Sequence, residues 1–445
     1  MDFDTHSEST ERSENRILSH WYSPGSDSFN FVEGDDTRVI DDAGNEYLDF
    51  VSQLYCVNVG HGNDSVVEAM TEQLETIPYV APKHDNDART ELAERIASIT
   101  DDKLSDVLFS ISGSEAVELA THIARSVTDS PTILSRYQGY HGATYGSGSL
   151  TTDPLTKNTL QKNIAVPGAS HFLPPLSHRS PFDADSPEKL AQQAADHVEF
   201  TIRNEGPDSV AAIITEVVAG TSGAYTAPPG YFERLREICD KYDCLLIFDE
   251  VLTGFGRCGE WFAHHHEGVV PDMVTFAKGV TGGYSPLAGV VVSESIAETI
   301  RNDGFDIGQT WGGHPVSCAA GVAAMDEYAD GLLENVRKLE PVLEQSLTQL
   351  ADSHPVVGDV RGRGFLWAVE FDTPGTEEPY FDHRVESGVD PTFEVLATAA
   401  KDHGVLFGPG RPTFNLMVAP PFCASEQEIQ TAVHALDDAI SKSFS

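Results

Sequence analysis

Between Leu104 and Val292 the chain alternates short apolar runs with longer amphipathic stretches. Val107–Phe109, Thr132–Leu134, Val210–Ile214, Cys244–Phe248, Met273–Ala277 and Leu287–Val292 read as strands. Glu115–Val127, Glu188–Arg203 and Pro229–Tyr242 carry helical periodicity. Short apolar runs bounded by turn residues mark strands buried on both faces, and alternation with helices predicts a mostly parallel sheet with helices on both sides. The class is α/β. Before this region, Val39–Ile40 and Tyr47–Asp49 flank a glycine-containing turn and predict a hairpin, followed by helices over Asp64–Leu74 and Ala88–Ile99. After it come helices at Cys318–Tyr328 and from Gly331 to about Ala351, a glycine-broken strand pair over Val356–Asp372, and a helix at Pro391–Asp402. A short strand at Asn415–Val418 and a helix over Ser425–Lys442 end the chain. The Gly/Thr/Ser-rich stretch Gln138–Pro154 predicts a long loop, and residues 1–20 an arm that is only partly ordered. The expected division is an N-terminal arm with part of a small domain (1–60), a large domain (61–330) and the rest of an α+β small domain (331–445).

Composition narrows the setting. The 445 residues carry a net charge of -42, spread along the chain and not gathered in a tail, and only ten of the 28 basic residues are lysines. Such self-repulsion strains a compact state at ordinary ionic strength and is screened in molar salt, so a salt-rich cytoplasm is the expected setting. The same charge excludes nucleic acid as a partner. No apolar run is long enough for a membrane span, and the polar Met1–Asn15 is no signal peptide. Six cysteines without Cys-x-x-Cys spacing suit a reducing compartment, with Cys244 and Cys318 expected buried, and no metal-ligand set is assigned.

Candidate chemistry sits at the strand ends, where ligands gather in open α/β sheets. Cys244-Leu245-Leu246-Ile247-Phe248 delivers Asp249, followed by Glu250 and Val251, and Met273-Val274-Thr275-Phe276-Ala277 delivers Lys278 into a glycine cluster. A carboxylate and an amine at neighbouring strand tips are what pyridoxal phosphate needs: a lysine to join its aldehyde and a carboxylate to partner its ring nitrogen. Gly113-Ser114, between a strand and a helix, offers backbone N–H groups and a helix N-terminus to an anion. Read alone, it fits a serine N-cap equally well. Glu216 ends a further strand.

These motifs, with Tyr137-Gln138-Gly139-Tyr140-His141-Gly142, Gly254-Phe255-Gly256-Arg257 and Gln309-Thr310-Trp311-Gly312-Gly313-His314-Pro315, resemble the fold-type I, class III pyridoxal phosphate-dependent aminotransferases over nearly the full chain. The omega-amino acid:pyruvate branch is the most similar. The resemblance implies a large domain with a mostly parallel seven-stranded sheet and a smaller α+β domain built from both termini. It implies Lys278 and Asp249 as catalytic residues, and Gly113, Ser114, Tyr140, His141, Glu216, Asp249, Val251, Lys278 and Thr310 as cofactor contacts. Thr310 would reach the phosphate of a neighbouring subunit, which makes the expected assembly a homodimer with interface active sites, or a pair of such dimers. Trp21, Tyr55 and Arg411 would line the substrate pocket, Tyr55 where the branch commonly has tryptophan and Arg411 as the grip on a keto acid carboxylate. Arg257 would be structural or at an interface, and His314 structural. Two positions depart from the pattern: Val217 stands where proline usually follows Glu216, and Ile307 replaces a histidine. The activity implied is ping-pong transamination from an amine or ω-amino acid, or an α-amino acid, to a keto acid such as pyruvate. Aminomutases and racemases of the same fold share the lysine and aspartate, and a non-catalytic binding protein would need neither.

The salt reading is directly testable. Going from physiological to molar KCl shortens the Debye length from about 8 Å to about 3 Å, and the melting temperature is expected to rise with it. A melting curve indifferent to salt contradicts a salt-adapted fold.

Overall fold

A computed structural model of the chain describes residue 20 and residues 29–160, 166–382, 384–386, 390–410 and 415–444. Its centre is a seven-stranded sheet in the order Leu104–Ser110, Ala288–Ser293, Met273–Phe276, Leu245–Asp249, Val210–Thr215, Thr132–Arg136, Ala169–Phe172. Only Ala288–Ser293 runs antiparallel to its neighbours. The other contacts are parallel, and Leu104–Ser110, antiparallel to Ala288–Ser293, shares their direction, so six strand ends point to one edge of the sheet.

The apolar runs look continuous because the strands are buried on both faces. Ile133, Ile214 and Ile247 pack on one side with Ala116, Ala120 and Ile123 of the Gly113–Thr128 helix. Leu134, Ile213, Leu246 and Phe248 face the opposite side, against the Pro187–Glu205 and Tyr231–Tyr242 helices. Successive residues thus serve opposite layers, as a period of two requires.

The two ends of the chain meet in a second sheet. Phe31–Asp35, Arg38–Asp41 and Glu46–Asp49 form an antiparallel meander, and Val405–Leu406 adds in parallel beside Glu46–Asp49, with Val405 opposite Leu48. A third sheet joins Val357–Arg363, Leu366–Phe371, Asn415–Val418 and Gly408–Pro409. The Leu333–Ser353, Pro391–His403 and Glu426–Ser443 helices cover these sheets in a core shared with Leu48, Phe50, Phe365 and Val418.

Most expected elements are present, and others appear that the pattern did not reveal, among them the Ala169–Phe172 strand and the Glu294–Asp303 helix. Phe31–Asp35 is a strand the pattern did not reveal. The expected Gln138–Pro154 loop contains a helix over Tyr145–Leu150, and Pro154–Leu160 forms another. The first of these exists because the Glu118 carboxylate accepts hydrogen bonds from the N–H groups of Gly146 (2.8 Å) and Ser147 (3.0 Å), satisfying its N-terminus from a distant helix. Cys244 and Cys318 are buried, as expected. The expected arm at residues 1–20 falls outside the described residues, apart from His20.

Candidate active site

The strand ends open into a cavity of about 490 Å³. Gly113, Ser114, Tyr140, His141, Glu216, Asp249, Val251 and Lys278 all line it, so the fold brings these sequence-predicted residues to one place. Tyr55 lines it too, beside Val51, Gln53, Leu54, Phe407, Gly408 and Pro409. Both chain ends therefore contribute a wall.

Asp249 ends its strand at 4% exposure. Its Oδ1 accepts from the Val251 N–H (3.1 Å) and the Thr275 hydroxyl (3.0 Å), and its Oδ2 lies 2.7 Å from His141 Nδ1. Three partners on two sides fix the carboxylate plane toward the cavity. His141 Nε2, also buried, has no hydrogen-bond partner.

Lys278 follows the Met273–Phe276 strand with φ at 41°, in the left-handed region that costs a non-glycine residue energy. That turn swings the amine under the cavity, and the Nζ lies 5.4 Å from the centre of the Tyr55 ring. Burial lowers the Lys278 pKa below that of an ordinary lysine, with Arg257 adding to the effect and Cys56, Asp249 and Glu216 opposing it.

Glu216 is held by a residue for which sequence reasoning assigned no role. Arg136, at the tip of the adjacent strand, donates through Nη2 to Glu216 Oε2 at 2.7 Å and through Nη1 to the Glu216 carbonyl at 3.1 Å. Glu216 Oε1 accepts from the Gly220 N–H at 2.9 Å. Both ionic groups are nearly inaccessible to water. An arginine closing an apolar strand was the available signal, since burial there demands a partner. Thr275, which holds Asp249, was missed for a similar reason: a threonine inside a strand ordinarily reads as a β-former.

The wall from the N-terminal end is strained and tied down. Ser52, Gln53 and Tyr55 have φ of 47°, 58° and 62°. The Asp49 carboxylate accepts from the Gln53 backbone N–H (2.9 Å) and side-chain amide (3.0 Å), and Ser52 donates to the Ala419 carbonyl at 2.7 Å. Arg257 is fully buried, donates to the carbonyls of Phe365 (3.1 Å) and Pro420 (2.6 Å), and also reaches Ser52 Oγ and Asn58 Oδ1. It is a structural tie, the first of the two roles expected for it.

Three expected residues are not gathered here. Thr310 is exposed and absent from the cavity lining, its carbonyl accepting from the Tyr79 hydroxyl at 2.9 Å. Trp21 and Arg411 lie outside the described residues. Of the two departures from the family pattern, Val217 is buried in the core and Ile307 is exposed.

The residues present fit pyridoxal phosphate. A sixteen-residue helix begins at Gly113 in the cavity wall, and any Cβ at Gly113 would come within 2.7 Å of Val251 Cγ1, so glycine leaves the space an anion needs. Gly142 is likewise confined: a Cβ there would sit 2.6 Å from Ser114 Oγ. A fixed carboxylate for a cationic nitrogen, an amine with depressed pKa and an N-terminal helix cradle supply one partner for each polar part of the cofactor.

Comparison with known proteins agrees. Residues 21–440 match the family model described as aminotransferase class-III. A probable aminotransferase of Mycobacterium tuberculosis is 41% identical over 350 residues, spanning 76% of this chain and 74% of that protein. Taurine–pyruvate aminotransferase of Bilophila wadsworthia is 34% identical over 431 residues, 92% of this chain and 91% of that protein. The crystal structure of taurine:2-oxoglutarate aminotransferase from Bifidobacterium kashiwanohense, in complex with PLP and glutamate, superposes with a TM-score of 0.91 at 31% identity, covering 96% of this chain and 95% of that one.

The buried pair gives a prediction. Arg136→Met leaves Glu216 ionised without its partner and is expected to cost about 3–5 kcal/mol of stability. Arg136→Met combined with Glu216→Met should recover much of that loss in denaturant titrations. A single variant as stable as the parent would show that the pair is not buried as described.

Proposed function

This chain belongs to the class III aminotransferases and transaminates with pyridoxal phosphate in a ping-pong cycle; on that premise we propose that its donor is an amine or ω-amino acid and its acceptor a keto acid, pyruvate foremost. The observation that carries the site assignment is the convergence of Asp249, Lys278 and Gly113-Ser114 on one cavity.

Bound pyridoxal phosphate supplies an electron-withdrawing ring that accepts the charge left when a substrate carbon loses its proton. The residues do the rest. Ser114 and the backbone N–H groups from Gly113 onward would hold the phosphate at the positive end of their helix. Asp249, held by His141, Thr275 and the Val251 amide, would face the ring nitrogen and hold a proton there. Tyr140 and Val251, both in the cavity lining, would cover the ring and exclude water. Glu216, braced by Arg136, fixes the loop through Gly220 that borders the cavity. The Lys278 amine would hold the cofactor, and the same amine is placed to carry a proton at the substrate carbon. Burial favours its neutral form, the form both tasks require.

The substrate assignment rests on the walls. Val51, Leu54, Leu252, Phe407 and Pro409 suit an alkyl chain, and Lys278 is the only lysine or arginine among the described lining residues. A keto acid carboxylate therefore needs a further cation, and Arg411 is two residues beyond Pro409 in the chain. Arg411 accordingly grips the acceptor, while Trp21 and Tyr55 wall the donor side. Both taurine-using relatives act on an amine at a chain end. Thr310, exposed on its own subunit, serves the phosphate of a second copy, so the working unit is a homodimer or a pair of homodimers. A salt-rich cytoplasm is the setting inferred from charge, and no described helix is long and apolar enough to cross a membrane.

A screen of ω-amines, ω-amino acids and α-amino acids with pyruvate, read by alanine formed, tests the substrate reading. Turnover should be fastest with ω-donors and absent in Lys278→Ala, which should also lose covalent cofactor. Arg411→Ala removes a charged hydrogen-bond pair worth about 1.5–3 kcal/mol, so the KM for pyruvate should rise about 10–100-fold while that for a simple amine changes little. Exclusive use of α-amino donors, or equal small effects on both substrates, contradicts the assignment.

A further inference from the structure

Behind the active site, on the far side of the Asp249–Glu250 strand tip, the fold assembles side chains that the sequence does not place together. His264, at 1% exposure, is clamped by two carboxylates: Nδ1 lies 2.7 Å from Glu250 Oε1 and Nε2 lies 2.9 Å from Asp101 Oδ2. The next residue, His265, has its Nε2 3.9 Å from the same Asp101 oxygen, and the two imidazole centroids are 4.6 Å apart. One ligand atom from each of Asp101, His264 and His265 falls within 4.8 Å of the others.

The orientation of Glu250 decides how this cluster reads. Glu250 is fully buried and over-determined: its Oε2 accepts from the Ala263 N–H (2.6 Å) and the Thr253 hydroxyl (2.8 Å), and its Oε1 from the His264 N–H (2.9 Å). A carboxylate so fixed takes the hydrogen on Nδ1 of His264 and leaves Nε2 directed at Asp101. A lone pair and a carboxylate oxygen 2.9 Å apart repel unless a cation stands between them. A carboxylate on one imidazole nitrogen with the other nitrogen turned to an acidic oxygen is the arrangement of a metal-ligating histidine and its supporting group. A proton shared by His264 and Asp101 would satisfy those two groups, and His265, with Nε2 3.9 Å from the same oxygen, adds the third donor that a metal ion needs. Two nitrogens and one oxygen match the donor set that divalent zinc prefers, with solvent left to complete the shell. The side chains of Asp101 and His265 are 30% and 23% exposed, which leaves a path for an ion to enter.

We propose that Asp101, His264 and His265 form a site for one divalent transition-metal ion of the zinc class, with Glu250 holding the His264 ring from behind. The site lies apart from the cavity lining, so its role is structural: it ties the Asp101 turn, which follows the Asp87–Ile99 helix, to the Ala263–His266 turn. Binding releases the Nε2 proton of His264 to solvent, and the ion exchanges three of its bound waters for one nitrogen of each histidine and an Asp101 oxygen. Transamination continues without the metal, and the fold gains stability with it.

The test uses holoenzyme stripped with a chelator and titrated with Co²⁺ and then Zn²⁺ at mildly alkaline pH. The expected result is a single saturable equivalent of Co²⁺ per chain, visible absorption bands of a low-coordinate nitrogen–oxygen site, displacement by Zn²⁺, and a higher melting temperature with Zn²⁺. His265→Gln and Asp101→Asn should each weaken binding by at least about 10–100-fold, the loss that a change in supporting groups alone produces, while keeping transaminase turnover. His265→Gln, at a partly exposed position, keeps the test available if Asp101→Asn folds poorly. No saturable Co²⁺ band in the parent would leave only an imidazolium between two carboxylates and overturn the proposal. Binding that survives both substitutions would place the ion elsewhere and overturn it as well.

Discussion

A carboxylate buried at the tip of a strand is the constraint around which the rest of this site is arranged. An isolated ionised aspartate in an apolar interior is costly enough to change its protonation or its position. Asp249 finds partners in the Thr275 hydroxyl, the Val251 amide and His141, which come from a neighbouring strand, the following turn and the loop after a third strand. Those partners fix where the carboxylate points, toward the space a cationic group in the cavity would occupy. Lys278 answers the same geometry from the next strand: a positive φ there aims its amine at the space Asp249 faces.

The cavity also explains why the two ends of the chain must fold together. Its outer wall is the strained Ser52–Tyr55 turn on one side and Phe407–Pro409 on the other. Val405 pairs with Leu48, Ser52 donates to the Ala419 carbonyl, and buried Arg257 bonds to Ser52, Asn58, Phe365 and Pro420. A guanidinium surrounded by carbonyls and amides, with its face on Phe422 at 4.8 Å, is a cross-link among segments far apart in sequence. Substrate residues on these segments are therefore placed by the same contacts that close the fold.

Much of this was legible in the sequence, for physical reasons that differ between residues. The strands bearing Asp249 and Lys278 announced themselves because continuous apolar runs ending in a charged residue have few other solutions. The helices were visible through their periodicity. Long-range determinants were not visible. Tyr145–Leu150 becomes helical because Glu118 caps it across the fold, and a Gly/Ser-rich segment gives no local hint of that. Phe31–Asp35 carries two acidic residues and a glycine and shows no clean alternation, because only one neighbour pairs with it. Arg136 and Thr275 act through partners 80 and 26 residues away. The Asp101–His264 contact spans 163 residues, and no spacing rule reaches that far.

The most direct test of the central claim is the protonation state of the cofactor's ring nitrogen, read by ¹⁵N NMR of holoenzyme loaded with ring-labelled pyridoxal phosphate at neutral pH. The account predicts a protonated nitrogen in the parent enzyme and loss of that signature in Asp249→Asn, which keeps the shape of the side chain and removes its charge. An unprotonated nitrogen in the parent, or the same signal in both proteins, would contradict the role given to Asp249.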